Sequence, residues 1–497
     1  MAARIEQRTA PLRRAALDTT ENLIVFMPEK EPRGIWSEIP SGEILQRRLA
    51  RARREGPRGQ VLETDLPNAI GTRVTLEALP AEISTFELLS KARAHVQRHR
   101  DHGARSIGVA MPGLVEALSA RVVDAVSAAA LAADAPMPDF RSRPERRRRL
   151  AGLRFHGVSQ RVDLARTRAE AEGNALAREL TMLPPNELTP RRYRRRISAL
   201  AREEGWTMRF LDSQALRRQR AGAFLAVVQG SDTDDAGIVE LRYRPATRRA
   251  NSRELCLVGK GLCYDTGGVN LKPARYMQGM HEDMAGSAVA LGTLLALTRL
   301  RAPFPIRCWL ALAQNHIGPR AYKPGDVVTA SNGTTIEVVH TDAEGRMVLA
   351  DTLALASRSD PALIIDYATL TGSCIQALGT TYSGAVTNRD ALREDIVRAG
   401  RASGERVWPF PFDADYDRGL ESRIADVRQC TLEGEADHIL AARFLSRFVG
   451  DKPWIHIDLA AGSHKGGLAH VPTDTTGFGV RFTLDLLYGQ QVLQGVK

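Results

Sequence analysis

The stretch Leu255-Cys-Leu-Val-Gly-Lys-Gly-Leu-Cys-Tyr-Asp-Thr-Gly-Gly268 runs from four apolar residues into a glycine-rich segment. The apolar run predicts a buried strand, which we expect to end at Gly259. Lys260 and Asp265 would then lie on a loop whose glycines permit positive φ and close backbone approach. Because ligands of open α/β sheets bind beyond the carboxyl ends of the strands, the stretch predicts a crowded site there.

Similar apolar runs continue through the C-terminal part of the chain and alternate with helical windows. The runs are Glu254 to Val258, Ile306 to Ala313, Leu363 to Tyr367 and Trp454 to Leu459. This alternation predicts an α/β fold with a largely parallel or mixed sheet sandwiched by helices. The uncharged window Met284 to Thr298 is shorter than the roughly 18–20 residues that a membrane span needs, so we expect a buried helix and no membrane segment.

The length of 497 residues exceeds the roughly 250–300 residues at which a single core stops growing, which predicts two domains. We expect a smaller, arginine-rich N-terminal α/β domain over residues 1–165. A helix over 166–183 would join it to the larger domain of residues 184–497, and this helix should end before Pro184 and Pro185.

The composition, with 43% hydrophobic and 26% charged residues, is that of a soluble globular protein. Arginines account for most of the +11 net charge and concentrate in the first 200 residues, at Arg47 to Arg58, Arg93 to Arg105, Arg141 to Arg154 and Arg191 to Arg196. Solvated helix faces and a nucleic-acid surface are both compatible with these runs. Five scattered cysteines and no secretory pattern favour a reducing, cytoplasmic location.

A second motif reads Val338-Val-His-Thr-Asp-Ala-Glu-Gly-Arg346. If extended geometry continues past the apolar residues, Asp342 and Glu344 point to the same side. Neighbouring carboxylates repel unless cations neutralise them. With Asp265 and Asp283 they sum to about four negative charges, which matches two divalent ions. A phosphate loop is the alternative for the first motif, but its spacing fits neither GxxxxGK[ST] nor GxGxxG.

The cationic residues of the two motifs suggest further roles. Lys260 can ligate a metal as the neutral amine, since neighbouring cations and burial lower a lysine's pKa. Lys272 can stay charged and polarise a substrate carbonyl, and Arg346 can hold an anionic base. Carboxylate-rich ligation accepts zinc, manganese, magnesium or cobalt.

With these motifs the sequence closely resembles the leucyl aminopeptidase family of dinuclear-metal exopeptidases. The resemblance spans roughly residues 175 to 485. It includes Val258 to Gly261 and His340 to Arg346. Further matching blocks are Pro184-Pro-Asn-Glu-Leu-Thr-Pro190, Ala321-Tyr-Lys-Pro-Gly-Asp326, Ala368-Thr-Leu-Thr-Gly372 and Trp454-Ile-His-Ile-Asp458.

The resemblance implies a metal-dependent hydrolysis of the N-terminal peptide bond of peptides with a free N-terminus. It implies two divalent ions, most simply zinc or manganese, and a homo-hexamer in the cytoplasm. Lys272 and Arg346 match the catalytic positions, with bicarbonate held at Arg346. The metal-ligand positions are Lys260, Asp265, Asp283, Asp342 and Glu344, with Asp265 and Glu344 bridging, and the substrate-pocket positions are Met280, Thr369, Gly372 and Ala460.

The sequence departs from the family pattern around these positions. His281 and Glu282 replace the common Lys-Phe, and His340 replaces an asparagine. Both histidines could orient metal ligands, or simply be surface or core residues. Two alternatives to a simple enzyme are a further nucleic-acid-binding or regulatory role of the basic N-terminal domain and a structural pseudo-enzyme.

Overall fold

The computed structural model of the protein describes residues 3–55, 61–144, 148–246 and 253–495. The predicted basic runs Arg47 to Arg58 and Arg141 to Arg154 therefore lie partly outside the described residues. The chain divides into two compact units. Unit 1 comprises residues 1–171 and 466–472, and unit 2 comprises residues 172–465 and 473–497.

Unit 1 is an α/β unit. Its strands are β1 (Arg4–Arg8), β2 (Asn22–Pro28), β3 (Leu62–Asp65), β4 (Arg73–Leu79), β5 (Ser106–Ala110) and β6 (Gly152–His156). Its helices are α1 (Arg14–Leu17), α2 (Gly42–Glu55), α3 (Thr85–Asp101) and α4 (Glu116–Asp134), and α5 (Ala165–Thr181) crosses the boundary of the two units.

The sheet of unit 1 has the order β1-β6-β5-β2-β4-β3. The first five strands run parallel, and β3 is antiparallel to β4. One apolar cluster forms around Phe26 and Phe155 with α3 and α4, and another around Leu23 and Val25 with α2. Since strand side chains alternate, each cluster covers one face of the sheet.

Unit 2 contains the strands β7 (Thr207–Leu211), β8 (Gly237–Tyr243), β9 (Leu255–Asp265), β10 (Ile306–Asn315), β11 (Val327–Thr329), β12 (Thr335–Glu337), β13 (Leu363–Ala368), β14 (Ser383–Thr387), β15 (Val407–Pro409), β16 (Val427–Arg428) and β17 (Trp454–Asp458). Its helices are α6 (Pro190–Glu204), α7 (Ser213–Arg218), α8 (Gly222–Val228), α9 (Ala274–Met277), α10 (Ala285–Arg299), α11 (Glu344–Ser357), α12 (Gly372–Leu378), α13 (Ala391–Ser403), α14 (Asp437–Ser446), α15 (Val480–Leu484) and α16 (Val492–Gly495).

The main sheet of unit 2 has the order β15-β14-β17-β13-β9-β10-β8-β7. Strands β17, β13, β9 and β10 are parallel, whereas β14, β8 and β7 join through antiparallel pairs. The sheet is mixed, so the predicted fold class is confirmed. A small sheet of β11, β12 and β16 lies outside it.

Helices α10 and α11 cover opposite faces of β9. Cys256 and Val258 face the cluster that contains Met347 of α11. On the other face, a Cβ built on Gly259 would lie 2.4 Å from Cα of Ser287 in α10. The glycine therefore lets the helix backbone pack directly on the strand. The predicted buried helix is α10, which is buried from Ala285 to Leu297. Within the described residues no helix combines the length and apolarity of a membrane span.

Candidate metal and peptidase site

The candidate site lies at the carboxyl edge of the four parallel strands of unit 2. Asp265 ends β9, Asn315 ends β10, Thr369 follows β13 and Asp458 ends β17. Parallel strands bring their carboxyl ends to one edge of a sheet. The fold therefore gathers polar residues that are far apart in sequence.

The prediction that Lys260 and Asp265 lie on a loop is wrong. Strand β9 continues to Asp265 because Gly259 and Gly261 lie in extended backbone under α10, and only Gly267 and Gly268 have positive φ. The register with β10 shifts near the strand end, where Ala313 pairs with Leu262 but Asn315 pairs with Asp265. Between these two pairs β9 has one residue more than β10, which is a β-bulge. The bulge reverses the alternation of side chains along β9, so Asp265 lies on the same face of the sheet as Lys260.

The expected extended geometry of Asp342 and Glu344 is also wrong. A 3₁₀ turn spans Thr341–Ala343, and Glu344 is the first residue of α11. The His340 ring nitrogen Nδ1 accepts the backbone N–H of Asp342 at 3.2 Å, which caps this turn. The two carboxylates still converge, because a tight turn followed by a helix start places them beside each other.

Three carboxylates form the centre of the site. Asp265, Asp342 and Glu344 each present an oxygen within 4.8 Å of the other two. Burial and the neighbouring Glu344 raise the pKa of Asp342, and burial raises that of Asp283. Among the described residues, Oε2 of Glu344 and Oδ2 of Asp283 are buried without a hydrogen-bond partner. Orphaned, buried carboxylate oxygens fit a site for divalent cations.

Lys260 links Asp283 to this centre. Its Nζ lies 2.9 Å from Oδ1 of Asp283 and 3.1 Å from Oε1 of Glu344, and it donates to the carbonyl oxygen of Thr369 at 3.0 Å. The side chain is almost fully buried. Burial alone would lower the pKa of Lys260, but the Asp283 and Glu344 carboxylates raise it above its ordinary range.

Lys272 approaches the centre from the opposite side. Its Nζ lies 2.9 Å from Oδ2 of Asp265 and also contacts Oδ1 of Asp342. Burial opposes the charge, yet the surrounding carboxylates, with Asp265 first among them, raise the pKa of Lys272. The two lysines thus flank the three carboxylates.

Arg346 lies in the first turn of α11 and is buried. One terminal nitrogen lies 2.8 and 2.9 Å from the two carboxylate oxygens of Asp437, and the other donates to the carbonyl oxygen of Gln429 at 3.1 Å. Despite burial, Asp437 raises the pKa of Arg346. Sequence reasoning missed Asp437 and Gln429, which are more than eighty residues away and carry no recognisable motif.

Asn315 and Thr341 hold the two motifs together. Nδ2 of Asn315 donates to Oδ1 of Asp265 at 2.8 Å and to the carbonyl oxygen of Thr341 at 3.0 Å. Oγ1 of Thr341 donates to the carbonyl oxygen of Gly267 at 2.6 Å and accepts the N–H of Asn270 at 2.8 Å. These bonds fix both ligand-bearing segments, and the sequence motifs did not reveal them.

The four predicted substrate-pocket residues lie at the starts of short helices or in the loop after β13, at the same edge of the sheet. Met280 begins the 3₁₀ helix Met280–Met284 that carries Asp283, and Oγ1 of Thr369 donates to Oδ1 of Asp283 at 2.6 Å. Gly372 begins α12, and Ala460 follows Asp458. No hydrogen bond among the described residues links the four, so their shared role in a pocket stays a prediction.

Asp458 positions the loop that contains Thr369. Its Oδ2 accepts the hydroxyl of Thr371 at 2.6 Å, and its Oδ1 accepts the backbone N–H of Leu370 at 3.1 Å. Burial raises the pKa of Asp458. His281, the other predicted orienting histidine, is half-buried, and burial lowers its pKa; no bond to a carboxylate of the site supports that role within the described residues.

The fold and the site together define a class: α/β proteins with a divalent-cation site of clustered carboxylates and lysines at the carboxyl edge of a mixed sheet. Residues 175–484 match the catalytic domain of the cytosol aminopeptidase family. A probable cytosol aminopeptidase of Roseiflexus castenholzii is 40% identical over 400 residues, which cover 79% of this chain and 81% of that protein.

Two solved structures are similar over nearly the whole chain. A variant of tomato leucine aminopeptidase has a TM-score of 0.84 and 28% identity, and the alignment covers 98% of this chain and 96% of that one. The bottromycin maturation enzyme BotP, solved in complex with Mn, has a TM-score of 0.80 and 30% identity, with 95% and 100% coverage. The chain belongs to the cytosol aminopeptidase family. It is a metal-dependent aminopeptidase.

Proposed function

We propose that the protein hydrolyses the N-terminal peptide bond of peptides with two divalent ions bound at the carboxylate centre. The observation that carries this proposal is the convergence of Asp265, Asp342 and Glu344, with orphaned oxygens on Glu344 and Asp283. The ligands would be Asp265 and Glu344 as bridges, Asp342 for one ion, and Lys260 with Asp283 for the other. When bound, the ions supply an activated water.

The remaining groups act on the substrate. Lys272, held by Asp265 and Asp342, keeps its charge and polarises the carbonyl of the scissile bond. Asp283 offers a buried carboxylate to the free α-amine, which explains why only a chain terminus would bind productively. Met280, Thr369, Gly372 and Ala460 would line the pocket for the first side chain.

Several finer predictions belong to the same proposal. Zinc or manganese would fill the sites, and the manganese complex of BotP supports manganese. A homo-hexamer and a cytoplasmic location come from the family resemblance. The resemblance also implies a bicarbonate at Arg346, but Asp437 already pairs with that guanidinium. The division into residues 1–165, 166–183 and 184–497 is supported by the compact units, whose boundary falls within α5.

A nucleic-acid-binding role of the arginine-rich unit remains a separate prediction. The contacts of several described arginines favour partners within the chain instead: Arg98 pairs with Glu63, Arg100 with Asp134, and Arg93 donates to the carbonyl oxygen of Gly466. No contact or comparison favours a nucleic-acid role.

The experiment is release of leucine from a chromogenic leucine amide by purified protein supplied with manganese or zinc. We expect Lys272→Ala to lower turnover by roughly 10²–10³-fold, the usual effect of removing a group that stabilises the transition state. The Lys272→Ala variant should keep the metal content of the wild type. The exposed Lys323→Ala is the matched control. Full turnover by Lys272→Ala would contradict the proposed role of Lys272, and no release by the wild type would contradict the proposed function.

A further inference from the structure

Arg346 already has an anionic partner within its own chain. A single terminal nitrogen of Arg346 lies within 2.9 Å of both carboxylate oxygens of Asp437. The Arg346 side chain is buried, whereas that of Asp437 is partly exposed. The second terminal nitrogen donates to Gln429. Within the described residues, the buried Nε of Arg346 has no hydrogen-bond partner.

From this geometry we infer that Asp437 is the resident anion of Arg346 and replaces an exogenous bicarbonate at that position. This inference rests on the proposed function. Bicarbonate presents planar, carboxylate-like oxygens and would use the same guanidinium donors as Asp437. A second anion beside Asp437 would put two like charges on one guanidinium, which disfavours its binding even at the unpartnered Nε.

The backbone around Asp437 favours a fixed carboxylate. Asp437 is the first residue of α14, a ten-residue helix whose N-terminal end stabilises negative charge. Ala436 precedes it with φ of 50°, in the left-handed region, which directs the chain into the helix. The Asp437 side chain is 24% exposed, so removing it opens a space that a small anion can reach. Asp437 thus acts through Arg346 and is a positioning residue.

The test is the response of activity to bicarbonate in manganese-loaded protein, assayed with the leucine amide in decarbonated buffer and after addition of bicarbonate. The wild type should be active in both buffers and change less than about two-fold. Asp437→Ala should lose roughly 10- to 100-fold without bicarbonate, as expected for loss of a group that orients a metal-site residue, and recover with bicarbonate. Asp437→Asn should recover less, because the amide still fills the space.

The matched control is Asp417→Ala, which removes the carboxylate from another arginine pair of the same helix. Asp417 binds Arg443 at 2.6 and 2.7 Å. The activity of the Asp417→Ala variant should not change when bicarbonate is added. Strong stimulation of the wild type by bicarbonate would overturn the inference, as would an Asp437→Ala variant that is folded by circular dichroism but gains nothing from bicarbonate. A wild type inactive under all conditions would instead contradict the proposed function.

Discussion

The side-chain amide of Asn315 donates to Oδ1 of Asp265 across 2.8 Å and to the carbonyl oxygen of Thr341 across 3.0 Å. Asn315 thereby joins the end of β9 to the turn that carries Asp342. Its own Oδ1 is buried without a hydrogen-bond partner among the described residues. Asn315 therefore orients one proposed bridging ligand and fixes the position of another ligand relative to it.

We expect Asn315→Ala to weaken divalent-metal binding by roughly 10- to 100-fold, because Asp265 loses the donor that orients it. Metal titration followed by calorimetry measures this change. The control is Asn388→Ala. Asn388 follows β14 and binds the backbone of Lys452 and Trp454 at the start of β17, so it also links two segments of this sheet, but at the opposite edge. Equal metal affinity in the two variants would show that Asn315 has no orienting role.

Gly345 leaves the space that the Lys260 side chain occupies. A Cβ on residue 345 would lie 2.6 Å from Nζ and 2.7 Å from Cε of Lys260. Three contacts hold the lysine, so it has little freedom to move aside. We expect Gly345→Ala to lower activity by about 10²-fold or more, as misplacement of a reacting group by about 1 Å does.

A double-mutant cycle checks this cause. In a Lys260→Ala background, the Gly345→Ala change should have little further effect, because the colliding atoms are gone. Additive losses in activity would mean that the added methyl group acts elsewhere, for example on Leu370.

Asp351 provides a pH dependence outside the metal site. Oδ2 accepts the N–H of Phe224 at 2.8 Å, Oδ1 accepts that of Ser331 at 2.7 Å, and burial raises the pKa of Asp351 to about 6 from an ordinary 3.8. Since the folded pKa is the higher one, this contribution to the free energy of unfolding is complete below pH 3.8 and is lost as the pH rises through 6.

We therefore expect the free energy of unfolding of the wild type to fall by up to about 3 kcal/mol through Asp351 as the pH rises from 3.8 through about 6. In Asp351→Asn this part of the pH dependence of the free energy of unfolding should vanish. Overall stability should also fall, because one of the two backbone N–H groups loses its acceptor. Denaturant unfolding at a series of pH values measures both quantities. Identical slopes in the two proteins would contradict the raised pKa.

The sequence predicted the strands that define the sheet edge and the acidic residues that meet there. It failed where a tertiary contact overrides a local signal. The glycines 259 and 261 suggested a loop, but they serve the close packing of α10 on β9. Asp342 and Glu344 suggested an alternating strand, but the cap by His340 and the start of α11 impose a turn.

The residues that sequence reasoning missed share one property. Asn315, Gln429 and Asp437 each act on at least one group of the site that is fifty or more residues away, and each is a single polar residue without a spacing pattern. Asp458 lies in a matching block, but its contact with Thr371 also joins residues that are distant in sequence. Their roles exist only once the parallel strands have brought the loops together. A motif reveals the ligands themselves, whereas the groups that orient them appear only in the fold.

The most direct test of the central claim is the metal content of the chain, measured by mass spectrometry together with leucine-amide hydrolysis, for the wild type and Asp342→Asn. Asp326→Asn, on a nearby loop, is the control. We predict about two divalent ions per chain in the active wild type and control, and loss of activity with at least one ion missing in Asp342→Asn. A wild type that hydrolyses the substrate without bound divalent ions, or an Asp342→Asn variant with full metal content and turnover, would contradict the account.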